Sequence, residues 1–92
     1  MQKYMPTPKH HIINYLEATE QTVPLLDGLD DALIGIGSQY TNPPTAIYSH
    51  TKIIETLIKQ GMTPEEAIEY TDYNIIGAWI GEQTPTIIHD FH

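Results

Sequence analysis

The chain has no cysteine, no arginine, only four lysines, and no apolar run long enough to cross a membrane as a helix. Each absence excludes something. Without Cys there is no disulfide, no thiolate metal site and no thiol nucleophile. Without Arg there is no planar fork to grip a phosphate or carboxylate at two points. A bound phosphate would have to rest on backbone N–H groups, hydroxyls, carboxamides, helix N-termini or a rare Lys. Twelve acids against four bases give a formal net charge of −8, too little positive charge for a broad surface that tracks a nucleic-acid backbone. The apolar runs fall well short of the roughly 18 residues of a membrane span, and the N-terminus lacks the apolar stretch of a signal peptide. The expectation is a soluble cytoplasmic protein that contacts neither nucleic acid nor membrane.

Ninety-two residues make one domain. A chain of this size buries only about 60–65% of its unfolded surface, so its single core is marginal and association would help. The residues are 40% apolar and only 17% charged, too apolar for disorder and sparsely charged for the surface of a monomer. This points to a homodimer or higher homo-oligomer, or to a surface covered by a ligand.

Residues 1–10 carry two prolines and no periodicity, and are expected to be loose, with an α+β domain over 11–92. Ile12, Ile13 and Leu16 share one face of a short helix in "HIINYLEATEQ". Pro24 and Gly28 mark a connector anchored by Leu25, Leu26 and Leu29. "ALIGIG" reads as a strand whose Gly35 and Gly37 mark a bulge or a close approach. Asn42-Pro43-Pro44 reads as a turn, and "AIYS" as the second strand of a hairpin. Ser49 caps a helix in which Ile53, Ile54, Leu57 and Ile58 form one stripe and Gly61 is the stop. Thr63, Pro64 and Glu66 make a capping box with proline at the first helical position. The spacing of Ala67, Ile68, Thr71, Ile75, Ala78 and Trp79 extends that helix to about Trp79. "TPTIIHDF" reads as a last strand. The sum is α+β: a small antiparallel sheet of about three strands, packed against two or three helices. Its exposed edges again favour association.

No nucleophile motif is present, and "GIGSQ" lacks the Lys and the following helix of a phosphate loop. The histidines offer no H-x-x-x-H pair on a helix, so no metal site and no cofactor are expected. Asp27, Asp30 and Asp31 lack the spacing of a calcium loop. They read either as a solvated turn or, for Asp30 and Asp31, as carboxylates that hold an amine, a ribose or Mg²⁺. His50, at the first position of its helix beside Ser49, reads either as exposed or as a donor to an anion. Ser38, Gln39, Ser49 and Asn74 supply neutral hydrogen bonds, as do Asn42, Gln83 and Thr84. Tyr48 and Trp79 supply flat rings, as do Tyr40, Tyr70 and Tyr73. Such parts suit a purine with ribose and phosphate held without Arg. The plainer reading makes the rings core or interface residues. Asn74, on or near the stripe between Tyr70 and Ala78, is expected half-buried and in need of partners.

"LDGLDDALIGIG" followed by "AIYSHTKIIETLIKQGMTPEEAIEYTDYNIIGAWIGEQTP" resembles a family of small, mostly uncharacterised proteins of tailed phages. The resemblance runs from Leu26 to Pro85 and includes no catalytic signature. It implies a protein that blunts host defence by sequestering a nucleotide immune signal without cleaving it. The acidic chain favours an ADP-ribose derivative over a cyclic oligonucleotide, above all one with an amino group that Asp30 or Asp31 pairs. Besides a structural accessory protein with no ligand, two other functions stay open. One is an acidic inhibitor that covers a basic site on a host protein, using the stripe Glu65, Glu66, Glu69 and Asp72. The other is a small hydrolase with Mg²⁺ on Asp30, Asp31 and Glu82.

Overall fold

A computed structural model describes residues 8–91 of the chain. Most of the segment expected to be loose lies outside them, but Pro8, Lys9 and His10 form the first turn of helix α1, Pro8–Ala18. Proline suits that position because the first N–H groups of a helix have no internal partner. Ile12 and Leu16, one turn apart, are the buried face of α1. Lys9 Nζ reaches Asp30 Oδ2 at 2.7 Å and ties the start of α1 to a single 3₁₀ turn, Asp30–Ala32.

Strand β1, Leu33–Gln39, pairs antiparallel with β2, Asn42–Ser49. Between Leu33 and Gly35 the register slips, so that Ile34 and Gly35 together oppose a single residue of β2. Gly37 marks the other expected feature, a close approach. A Cβ built there would lie 2.7 Å from Ile47 Cδ1.

The third strand corrects the expectation of a wholly antiparallel sheet. β3, Thr86–Ile88, pairs parallel with β2, and the sheet order is β1-β2-β3. The chain leaves β2 directly into helix α2, His50–Lys59, and returns after helix α3, Pro64–Tyr70. Such a helical crossover is what parallel pairing requires. β3 is also shorter than the expected strand, because Asp90 leaves the ladder to meet the start of α2.

The expected caps are in place. Ser49 Oγ accepts from Lys52 N at 3.1 Å, while Thr63 and Glu66 cap one another reciprocally at 2.9 and 3.2 Å. The second helix departs from expectation at Thr71. There the α-helix gives way to a wider π-helical turn, Thr71–Ile76, closed by Gly77 N donating to Asp72 O at 3.1 Å. The buried Thr71 hydroxyl donates back to Ala67 O at 2.7 Å. A π turn inserts one residue, and every later position rotates off the 3.6-residue stripe. Asn74 is therefore exposed rather than half-buried, and Trp79 lies in an irregular segment beyond the helix.

One core unites these elements: Ile12 and Leu16 of α1, Leu29 and Ala32, Leu33, Ala46 and Tyr48 of the sheet, Ile53 and Leu57 of α2, and Ala67 of α3. Among the described residues no helix is long and apolar enough to cross a membrane.

The C-terminal segment is fastened to α2. Asp90 accepts from Ser49 Oγ at 2.6 Å and from Thr51 N at 3.1 Å, which holds its carboxyl well below the usual carboxylate range. Beside it the rings of His50 and His89 lie 4.3 Å apart. Burial, and then the neighbouring charge of His89, lower the His50 pKa, against the weaker pull of Asp72 and Asp90. A histidine lowered in the fold binds fewer protons than in the unfolded chain, so stability rises with pH through the region near 6.5. It is fully present above that pH and is lost as pH falls below it. The melting temperature is thus expected to fall between pH 7.5 and 5.5, and His50→Asn should flatten that slope. An unchanged slope in the variant contradicts the assignment. The Asp90 contribution is lost only in stronger acid, below the unfolded aspartate value near 4.

Candidate functional site

β2 divides the molecule into two faces. Side chains alternate along a strand. Ala46 and Tyr48 point into the core and are fully buried, which leaves Thr45 and Ile47 on the other face. Thr45 is paired with Gly37 on one side, and Ile47 with Thr86 on the other. The absence of a side chain at Gly37 opens this face beside Ile47.

The hairpin end and the segment after the π turn wall in that face. Together they enclose a cleft of about 520 Å³ lined by Gly37, Ser38, Gln39, Asn42, Pro43, Thr45, Ile47, Trp79, Glu82, Thr84 and Thr86. Sites for small organic molecules span about 300–1,000 Å³.

The far wall is a loop that is tied down. Gln83 Nε2 donates to Thr22 O and to Pro44 O, both at 3.0 Å, which seats the loop on the connector and on β2. Thr84 Oγ1 donates to Gly81 O at 2.7 Å and accepts from Ile80 N at 2.9 Å. Gly81, at φ +130°, makes the bend in a region that side chains rarely adopt. Between these ties Trp79 keeps 76% of its surface exposed.

The lining keeps hydrogen-bonding capacity in reserve. Asn42 Nδ2 donates to Gln39 Oε1 at 2.6 Å, leaving the Gln39 NH₂ and the Asn42 carbonyl for another partner. The Thr45 and Thr86 hydroxyls share one bond of 3.0 Å, so one of them retains a donor. Ser38 and Glu82 side chains engage no other described residue by hydrogen bond or ion pair. Among the described residues no Lys or His lines the cleft.

Of the residues singled out in the sequence, the fold brings Ser38, Gln39 and Trp79 together here, with Asn42 and Thr84 of the wider inventory. Others lie elsewhere. Tyr48 is fully buried, and its hydroxyl accepts from Leu26 N at 2.8 Å, so it is a core residue with no face for a ligand. Ser49 is buried and occupied as a cap and as the donor to Asp90. His50 is half-buried against His89 and not open to an anion. Asp30 and Asp31 line a separate hollow with Lys9, His10, Ile13 and Asn14, and Asp30 already holds Lys9. Asn74 lines the hollows around Tyr70 on the helical side.

The constellation Asp30, Asp31 and Glu82 considered for Mg²⁺ is thus split between two places. Among the described residues no group of three or more His, Asp or Glu is arranged to hold a metal.

Sequence reasoning missed Thr45, Ile47, Thr86 and the placement of Glu82. The alternation in "TAIY" held the signal for the first two, since burial of Tyr48 fixes which face Thr45 and Ile47 take. Gly37→Ala tests the geometry. Its methyl would meet Ile47 Cδ1 at 2.7 Å and Cγ1 at 3.3 Å, and that flexible side chain can only yield by moving. Gly37 is not at positive φ, so stability should stay within about 1 kcal/mol, the mild end of overpacking. The displaced Ile47 lines the cleft, so ligand affinity should fall several-fold while the melting temperature drops by no more than several degrees. Unchanged affinity would place the ligand elsewhere.

Compared with protein-family models, with curated proteins and with solved structures, the chain matches none of them.

Proposed function

We propose that the chain binds and holds, without cleaving, a small nucleotide-derived molecule, with the base and ribose end seated in the cleft between the hairpin and the Trp79–Thr86 segment. The observation that carries this reading is the convergence of an exposed indole with neutral hydroxyls and carboxamides around one cavity of about 520 Å³. An indole gives a stacking platform for a base. Ser38, Gln39, Asn42 and the threonines match the donors and acceptors of a ribose and a base edge. The lack of any cation among the described residues of the lining disfavours a cyclic oligonucleotide, whose phosphates must enter with the bases. An ADP-ribose derivative leaves its pyrophosphate at the open mouth, in water.

Among the described residues the lining sets no Lys or His beside the Ser38 and threonine hydroxyls to activate them, and it holds a single carboxylate, Glu82, which supports retention over turnover. The resemblance to small tailed-phage proteins supports a setting in the cytoplasm of an infected bacterium, where the ligand is a host immune signal. The marginal size of the core and the edge strands β1 and β3 support a homo-oligomer.

A thermal-shift screen against nucleosides, cyclic dinucleotides, NAD, ADP-ribose and its amino-acid conjugates tests the proposal. At 100 times its dissociation constant a ligand stabilises by about 2.7 kcal/mol, several degrees for a domain of this size. Heating the complex should then return the ligand intact. A product in its place, or no shift with any compound, overturns the reading.

One observation favours a second reading. Tyr73 is 76% exposed and lines a hollow with Met62, Glu66, Glu69 and Tyr70 on the helical face. Aromatic rings among acids suit a contact with a basic protein surface. That reading predicts a host partner whose binding weakens as salt rises and is lost in Tyr73→Ala.

A further inference from the structure

Among the described residues one ionisable side chain lines the cleft, and its sign matters. Every other lining residue is neutral, and Glu82 forms no ion pair with any described residue. Glu82 and Trp79 sit on the same loop, whose position is set by the two Gln83 bonds to Thr22 O and Pro44 O. An indole face and a carboxylate are the side chains that attract organic cations, the first through its quadrupole and the second through its charge. Together in a concave site, with no Lys or His among the described residues lining it, they form an electrostatic filter. A phosphate entering here meets a like charge with nothing to offset it. A protonated amine meets both an attractive face and a counter-ion.

We propose that the ligand carries an organic cation, such as a protonated amine, on the end that enters the cleft, and that Trp79 and Glu82 select it. This rests on the reading of the cleft as a nucleoside site. It moves the recognition of an amino group away from Asp30 and Asp31, where Lys9 already occupies the carboxylate of Asp30 at 2.7 Å. Glu82 becomes the specificity-determining residue, and Trp79 serves both the base and the cation.

Three compounds that share adenine and ribose and differ only at the 5′ position separate the possibilities: adenosine, its 5′-monophosphate, and 5′-amino-5′-deoxyadenosine, which is protonated at neutral pH. Calorimetric titration of the full chain should rank them amine, then adenosine, then phosphate. An exposed ion pair with a cation–π contact corresponds to about tenfold tighter binding of the amine than of adenosine. Added salt should shrink that advantage. Glu82→Gln keeps the shape of the side chain and is exposed, so it should fold normally and lose most of the preference for the amine over adenosine. If adenosine binds and the amine has no advantage, or if Glu82→Gln leaves the advantage intact, the inference is overturned while the cleft reading stands. If none of the three binds, both are overturned.

Discussion

Tyr48→Ala is expected to cost about 3–5 kcal/mol, the range for truncating a large buried aromatic, and to lower the melting temperature by more than 10 °C. Tyr48 sits on the central strand, fully buried, opposite Leu33 and in the same cluster as Ile53 and Ala32. Its hydroxyl is also occupied, as the acceptor for Leu26 N at 2.8 Å. Tyr48→Phe should therefore cost about 1–3 kcal/mol, because the backbone N–H of Leu26 loses its partner in a half-buried place. Burial raises the Tyr48 pKa, as expected for a phenol removed from water. Thermal or urea unfolding of both variants checks the pair. If Tyr48→Phe melted like the parent yet lost ligand, Tyr48 would be a recognition residue and its place in the core would be wrong.

Trp79→Ala should show the opposite pattern. Stacking of a base on an aromatic ring is worth about 1–3 kcal/mol by alanine substitution, which corresponds to roughly 5- to 150-fold in affinity. The indole is 76% exposed, so stability should change by no more than about 0.5 kcal/mol. The informative result is the contrast: Tyr48 variants lose stability, and the Trp79 variant loses affinity for the ligand. A Trp79→Ala protein that unfolded easily would make the indole a structural residue. One that bound as well as the parent would remove the cleft from consideration.

The local parts of this fold were legible because their determinants are local. Ser49 as cap, the reciprocal Thr63–Glu66 pair, the stripe of α2 and the glycine marks on β1 all depend on residues within a few positions of one another. Errors arose at two local features, the turn at residues 40–41 that leaves Asn42-Pro43-Pro44 inside β2 and the end of α3, and where a distant contact decides. The direction of β3 depends on the path of the crossover, which no short pattern encodes. The end of α3 depends on the π turn at Thr71, and one inserted residue there moved Asn74 to the surface and Trp79 out of the helix.

The same distinction holds for the site. Ser38, Gln39 and Trp79 stood out as polar or aromatic residues at element ends, and the cleft assembles them. Tyr48 and Ser49 stood out for the same reason, but the alternation of β2 and the docking of Asp90 take them inside. Residue type alone did not distinguish the two groups. The facing of β2 does: Ala46 and Tyr48 lie on the core face, which leaves Thr45 and Ile47 on the other.

Trp79 is the single tryptophan of the chain, so its fluorescence reports on the cleft alone. Titration with adenosine and with 5′-amino-5′-deoxyadenosine, followed by tryptophan emission alongside calorimetry, tests the central claim most directly. The account predicts a saturable change in emission with the same dissociation constant as the heat signal. Heat without any change in emission would put the ligand at another site, and no binding by either method would contradict the assignment of this cleft as a nucleoside site.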